Sequence, residues 1–253
     1  MSKAEKKEAK ARTAFVYSDR LASFDYGESH PMKPERLRLT AELIGALGLD
    51  KLPSSKFVEA RSATTEELLL FHTPDYLKIL KEADSGLIPA DGAQHGLGYS
   101  DNPVFKGVFE WSALCAGASL QAAELVAEGK AEIAFNISGG LHHAMPERAS
   151  GFCYINDAAV AIKYLAGLGK RVAYVDIDAH HGDGVEAAFY DTDAVLTVSV
   201  HESGEWLFPG TGAAADTGTG AGRGFSVNVP LPPSAGDDLF LRAFEGVVEP
   251  VIK

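Results

Sequence analysis

Nine residues, DIDAHHGDG from Asp176 to Gly184, carry three carboxylates and two imidazoles directly behind an apolar run, RVAYV, that reads as a strand. Alternate side chains of an extended chain point the same way, so Asp178 and His180 can converge on one point before a turn at Gly182. A carboxylate with an imidazole suits zinc or a similar divalent ion, and a catalytic ion keeps one position open for water. Asp183 alone, just ahead of a helix, would be explained as a helix-entry acid. The full pattern at a strand end asks for a metal. Upstream, NISGGLHHAM adds His142 and His143, so four of the eight histidines fall in two short clusters. A metal needs few ligands. The surplus histidines suit acid–base work, with Asp176 and Asp183 available to tune an imidazole through its second ring nitrogen. The mixture points to metal-assisted hydrolysis, while spacing leaves open which histidines are ligands and which act as base. Gly139 and Gly140 precede the first pair, SGFCYIND follows it, and Phe152 and Phe208 each flank a polar loop beside the charged clusters. Glycines there allow close backbone approach to a ligand, and the two aromatics are candidates for an apolar wall.

Strand-like and helical patterns alternate around these clusters. TAFVY (13–17) is followed by PERLRLTAELIGAL, with Pro34 near the first helical turn and Leu43, Ile44 and Leu47 on one face. TTEELLLF carries a Thr64-x-x-Glu67 capping box, and TPDYLKILKEA opens with Thr73 as N-cap and Pro74 just inside. A Gly-rich loop (86–103) leads into a long helical run beginning VFKGVFEW. Then follow strand EIAFN, loop 138–152, helix 157–168, strand RVAYV, helix 184–190, strand AVLTVSV, loop 201–224, strand FSVNV and a helix over about 236–252. This order predicts an α/β domain with a mostly parallel sheet, whose sites form outside the carboxyl ends of the strands. Both charged clusters occupy that position.

The 253 residues include 23 Lys plus Arg against 35 Asp plus Glu, a net charge of -12, and 46% hydrophobic residues. The chain is long enough for a sizeable core. Its acidic balance argues against nucleic acid as a direct partner. Two cysteines, Cys115 and Cys153, make no disulfide framework and suit a reducing, cytoplasmic setting. MSKAEKKEAKA reads as a solvated, disordered tail (1–12), and no run is long enough to span a membrane.

Several long runs resemble the zinc-dependent histone deacetylase family in its bacterial acetoin-utilisation branch. They are GGLHHAMPERASGFCYINDAAVAI, VDIDAHHGDGVEAAFY and FPGTG followed by GRGFSVNVP, together with YGESHPMKPERLRLT and GLGYSDNPVF. The resemblance implies an arginase-like three-layer α/β fold over 13–253. It implies hydrolysis of N6-acetyl-lysine on a protein or peptide to lysine and acetate, linked to acetoin and acetate metabolism. The implied ions are Zn2+, with Fe2+ as the other candidate, and structural K+. By position, Asp178 and His180 are implied as zinc ligands, and His142 and His143 as the acid–base pair partnered by Asp176 and Asp183. Gly151, Phe152 and Phe208 are implied to line a tunnel for the lysine stem, Asp101 to hold substrate backbone, and Arg36 to lie near an internal acetate channel. Potassium is implied at Asp176, Asp178, His180, Ser199 and Val200, and at Phe189, Thr192, Val195 and Phe225.

The family's third zinc aspartate, in a Gly-Ala-Asp motif, and its oxyanion-stabilising tyrosine have no counterpart in these 253 residues. The resemblance therefore implies the N-terminal part of a catalytic domain. The expectation is weak zinc binding, negligible turnover and poor solubility, with Leu239, Leu241, Phe244, Val247, Val248 and Val251 of the last helix facing absent partners. Other readings are an acetylpolyamine or small-amide deacetylase and an inactive acetyl-lysine-binding fragment. A two-metal amidinohydrolase would place an acid two residues after His180, where Gly182 stands. A phosphotransferase would need a Gly-rich phosphate loop with lysine, which is not seen.

Overall fold

The computed structural model describes residues 12–99 and 101–253, so residues 1–11 of the expected tail lie outside the described residues. Among the described residues six strands form two three-stranded sheets. In the first, β1 (Thr13–Tyr17) lies between β2 (Ser55–Glu59) and β3 (Ile133–Asn136). In the second, β5 (Val195–Glu202) lies between β4 (Val172–Asp176) and β6 (Ser226–Leu231). Every pairing is parallel, with Phe15 opposite both Phe57 and Phe135, and Ser199 opposite both Asp176 and Asn228. The α/β expectation holds, with one difference: β3 and β4 each end a sheet instead of continuing a single one.

Parallel strands need crossovers, and helices supply most of them. α1 (Glu35–Ala46) connects β1 to β2. α2 (Thr65–Leu68), α3 (Pro74–Ala83) and α4 (Val108–Ala127) lie between β2 and β3, α5 (Asp157–Gly167) between β3 and β4, and α6 (Asp183–Phe189) between β4 and β5. α4 is the core helix: Leu114, Cys115, Ala116 and Leu120 are fully buried where it packs on β1, β3 and α5. Its first turn is capped by the Asp84 carboxylate, which accepts from Phe109 N at 2.8 Å and Glu110 N at 3.0 Å. The predicted caps form as well. Thr64 and Glu67 bond reciprocally at 2.7 and 3.2 Å, and Thr73 Oγ1 accepts from Tyr76 N at 3.3 Å.

One strand was not anticipated, and two readings need correction. β2 carried no recognised signal: SKFVE is short and charged, and its pairing with β1 defines it. α1 docks through Leu37 in its first turns, leaving Leu43 and Leu47 59% and 65% exposed. The last helix is α7 (Asp237–Ala243), a π turn (Phe244–Val248) and α8 (Glu249–Ile252). The wider turn shifts the apolar stripe. Val248 is fully buried with Val198, Val200 and Leu231, and Leu239 and Phe244 pack against that cluster. Leu241 and Val251 remain exposed.

Val248→Ala removes the buried anchor of this C-terminal helix and should cost about 1.5–3 kcal/mol. Leu241→Ala should stay within about 0.5 kcal/mol of the parent. Urea unfolding of both variants checks the difference, and equal losses would contradict the packing.

Candidate active site

β3, β4 and β5 deliver the chemistry at their carboxyl ends. The loop after β3 carries His142 and His143, β4 ends on Asp176, the turn after it carries Asp178 and His180, and α6 opens on Asp183. These segments meet at a cleft of about 750 Å³ lined by Arg36, Asp101, His142, His143, Gly151, Phe152, Asp176, Asp178, His180 and Phe208. Phe208 comes from the loop after β5, so residues distant in the sequence close one site.

His142 Nδ1 lies 2.6 Å from Asp176 Oδ2, and His143 Nδ1 lies 2.7 Å from Asp183 Oδ1. The two rings are 4.0 Å apart and nearly excluded from water. Each ring spends Nδ1 on its carboxylate, which leaves Nε2 for the cleft. Their proton affinities separate. Burial disfavours charge on His142, but the hydrogen bond and charge of Asp176 outweigh it and raise its pKa above the usual histidine value. Burial wins at His143, aided by neighbouring His142 and His180, and lowers its pKa despite Asp183. Burial also works against charge on Asp176, but His142, the Tyr174 hydroxyl at 2.6 Å and Asp178 N–H at 3.0 Å hold its pKa below the usual value.

Asp178 and His180 behave differently from Asp176. Their side chains are 53% and 40% exposed, and Asp178 Oδ1 lies 2.9 Å from His180 Nδ1. That separation lets both atoms touch one ion at about 2.0–2.2 Å, so an oxygen and a nitrogen donor fit zinc there. Among the described residues no third His, Cys, Asp or Glu completes a metal-binding group with them. His143 faces this pair, its ring 5.8 Å from that of His180 and 5.0 Å edge-on from Phe208. Gly151 lies against His143 and Phe208, where a Cβ would come within 2.5 Å of His143 Cδ2 and 2.9 Å of Phe208 Cε1. Phe152 holds a left-handed backbone (φ 72), uncommon for a bulky residue. Tyr26 donates its hydroxyl to Phe152 O at 2.9 Å and His30 packs edge-on at 4.6 Å, which keeps the ring in place.

The remaining candidates spread further. Asp101 is at the exposed rim, its carbonyl 3.2 Å from His30 Nε2. Arg36 lines both the cleft and a small cavity of about 20 Å³ that shares Met32 and Gly139 with it and also touches Trp111. Ser199 Oγ pairs with His201 Nδ1 at 2.9 Å, and Val200 is buried beside it in β5. Phe189, Thr192, Val195 and Phe225 sit at the amino ends of β5 and β6, away from the cleft. There the Phe189 and Phe225 carbonyls already accept from Thr192 N and Thr197 N.

Sequence reasoning missed the residues that hold the histidine loop. Asn156 Nδ2 donates to His142 O at 3.0 Å and to Ala144 O at 3.1 Å, while its Oδ1 accepts from Ala159 N and caps α5. Asp157, also buried, accepts from Leu141 N at 2.7 Å, Gly140 N at 3.2 Å and the Ser119 hydroxyl. Together they clamp the His142–His143 segment from both sides. The Asn-Asp pair ahead of an apolar helical run was the available signal, and it suggests only a helix cap. Tyr174 was also missed, although it lies two residues before Asp176 on one strand face.

Residues 30–253 match the family model described as histone deacetylase domain. The chain is 44% identical over 245 residues to "Acetoin utilization protein AcuC" of Staphylococcus aureus (strain MRSA252), covering 96% of this chain and 62% of the relative. It is 40% identical over 247 residues to "Histone deacetylase RPD3" of Saccharomyces cerevisiae (strain ATCC 204508 / S288c), covering 96% of this chain and 56% of that one. A crystal structure of an HDAC homolog from Aquifex aeolicus superposes with a TM-score of 0.88 at 41% identity, over 95% of this chain and 65% of that chain. The chain thus spans under two thirds of the length of these relatives.

His72 supports the clamp from behind and supplies a test. It is buried, with Nδ1 3.3 Å from Pro146 O and Nε2 accepting from Asn156 N at 3.0 Å, which requires the neutral ring. Burial lowers its pKa to about 4. The folded chain therefore binds fewer protons than the unfolded one between pH 4 and an unfolded value of about 6.5. This contribution to stability is complete above about pH 6.5 and is lost as pH falls, amounting to about 3 kcal/mol. Urea unfolding at pH 7 and 5 should show a smaller acid loss for His72→Gln than for the parent, and an unchanged slope would refute it.

Proposed function

This chain belongs to the histone deacetylase family, and on that premise we propose that its cleft hydrolyses N6-acetyl-lysine to lysine and acetate with a divalent ion. The observation that carries the reading is the pair of buried histidine–carboxylate couples beside the exposed Asp178–His180 donor pair, in one cleft. Asp178 and His180 would hold the ion, zinc by their donor chemistry, and the ion when bound would polarise the amide carbonyl and acidify a water.

The protein's own groups account for the proton movements. His143 is the more readily neutral ring, so its Nε2 takes the proton of the attacking water as the new C–O bond forms. Asp183 behind Nδ1 steadies the resulting cation. The same proton passes to the lysine nitrogen as the C–N bond breaks, and the second proton of the water leaves on the acetic acid, which gives it to the freed amine to yield acetate and the lysine ammonium. His142, whose proton affinity Asp176 raises, is the ring better able to present a proton to negative charge developing on the carbonyl oxygen. Phe152 and Phe208 would flank the lysine stem. Four buried methylenes at about 0.8 kcal/mol each offer about 3 kcal/mol of binding. Asp101 at the rim would accept substrate backbone N–H groups. The likeness to an acetoin utilization protein supports a link to acetoin and acetate metabolism, and two free thiols support a cytoplasmic setting.

Zinc content and release of acetate from an acetyl-lysine peptide, with an acetylpolyamine alongside, test the reading. Both are measured on this chain and on a chimera continued with the remainder of the staphylococcal relative. In the active form His143→Ala should lose about 10²–10⁴-fold in turnover while keeping its metal. His180→Ala should lose metal and turnover together. Preference for the polyamine would reassign the substrate, and inactivity of both forms would overturn the reading.

Phe152→Ala, in the same active form, should raise KM for the acetyl-lysine peptide by at least about tenfold if it supplies half of the stem burial. Unchanged kinetics would place the ligand path elsewhere.

A further inference from the structure

His181 is the histidine of the two clusters that the chemistry above leaves unused. It follows His180 directly yet turns the opposite way and is 1% exposed. Its ring stands 4.7 Å from that of His201, equally buried at the end of β5. Both rings reach the same short stretch of the loop after β5. His181 Nδ1 is 2.8 Å from Thr211 Oγ1, and His201 Nε2 is 3.0 Å from Gly212 O. A ring nitrogen facing a carbonyl must carry the proton, so His201 donates from Nε2 and its Nδ1 accepts the Ser199 hydroxyl at 2.9 Å. Gly212 makes the approach possible. Its φ is 84, and a Cβ there would lie 2.5 Å from His201 Nε2 and 2.6 Å from His181 Cγ. His181 Nε2 lies 3.5 Å from Glu186 Oε2 and makes no hydrogen bond, so Thr211 is the firm polar contact of this ring.

The loop has a second fixed end. Ser203 N donates to Leu231 O at 2.8 Å, and Trp206 N and Leu207 N donate back to Ser203 O. Between these ends stands Phe208, 44% exposed, with its ring against His143 and His180. Gly151 also lies against that ring, and the backbone that carries it runs between the two pinned ends, so its place over the histidines depends on where those ends are held. We propose that the buried His181–His201 pair is a positioning device that fixes the Thr211–Gly212 end of this loop and so sets Phe208 over the site. The proposal deepens the acetyl-lysine reading and rests on it for the role of Phe208. The anchoring itself does not.

Two substitutions separate the claims. Thr211→Val keeps shape and removes the hydroxyl, and Thr211→Ser restores it. The chain has two tryptophans, Trp206 on this loop and Trp111 in α4, so fluorotryptophan labelling gives one fluorine signal on the loop and one in the core. Thr211→Val should shift or broaden the Trp206 signal and leave that of Trp111 unchanged, and Thr211→Ser should look like the parent. Loss of one hydrogen bond should weaken acetyl-lysine peptide binding by about 2- to 10-fold in Thr211→Val. Gly212→Ala, which drives a methyl into both rings, should displace the Trp206 signal further. If Trp206 is unmoved in both Thr211→Val and Gly212→Ala, the anchor is refuted. If neither this chain nor the chimera binds the acetyl-lysine peptide, the substrate reading falls, and the Trp206 signal alone decides whether the imidazole pair holds the loop.

Discussion

Holding His142 and His143 side by side, each about 95% shielded from water, is favourable only because Asp176 and Asp183 face them at 2.6 and 2.7 Å. A buried charge without a partner is costly, and even a paired one contributes little to net stability. The arrangement therefore constrains everything around it. Each carboxylate must be satisfied, each ring must keep one orientation, and the backbone between them must be held by groups that do not compete for the same protons. Tyr174 and Asp178 N–H complete Asp176. Asn156 and Asp157 take up the backbone of the histidine loop, and His72 meets the Asn156 backbone from behind.

The asymmetry of the two couples follows from these surroundings. Both rings are desolvated and both face an acid, yet His142 is raised and His143 lowered in proton affinity. Asp176 is reinforced by a hydroxyl and a backbone N–H, and Asp178 and Asp183 add negative potential around His142. His143 carries the opposing influence of two neighbouring imidazoles. One motif thus gives two chemically different histidines, one raised and one lowered in proton affinity by its surroundings. The exposed side chains of Asp178 and His180 lie outside this buried network and pair with each other at 2.9 Å on the cleft wall.

The fold supplies rigidity where the network needs it. Parallel strands end at one rim, so β3, β4 and β5 can each bring one short segment to a common point. Asp176 is the last residue of a strand and Asp183 the first of a helix. Their separation is fixed by elements, and only the turn between them is irregular. The apolar wall has a different origin. Phe152 is held by its own loop and by Tyr26, while Phe208 depends on a loop pinned at Leu231 and at the His181–His201 pair.

Much of this was legible in the amino-acid order. Apolar runs bounded by caps located β1, α3 and α5 within a residue or two, because local periodicity and Thr73-type capping are decided over a few residues. The clusters at 142–143 and 176–183 announced a site, because no local structural need explains so many ionisable groups at strand ends. What the sequence could not carry was contact. SKFVE became a strand only beside β1, and the stripe of the last helix was redirected by a π turn and the cluster at Val198, Val200 and Leu231. Asn156 both caps α5 and clamps His142 and Ala144, a double role that no local pattern shows, because one amide group bonds in two directions at once. His180 and His181 are neighbours with identical side chains, yet one faces the cleft and the other a buried imidazole. Residue type and spacing determined the chemistry available. Tertiary packing decided which face of the chain each group used, because burial and partner geometry arise only when segments distant in sequence meet.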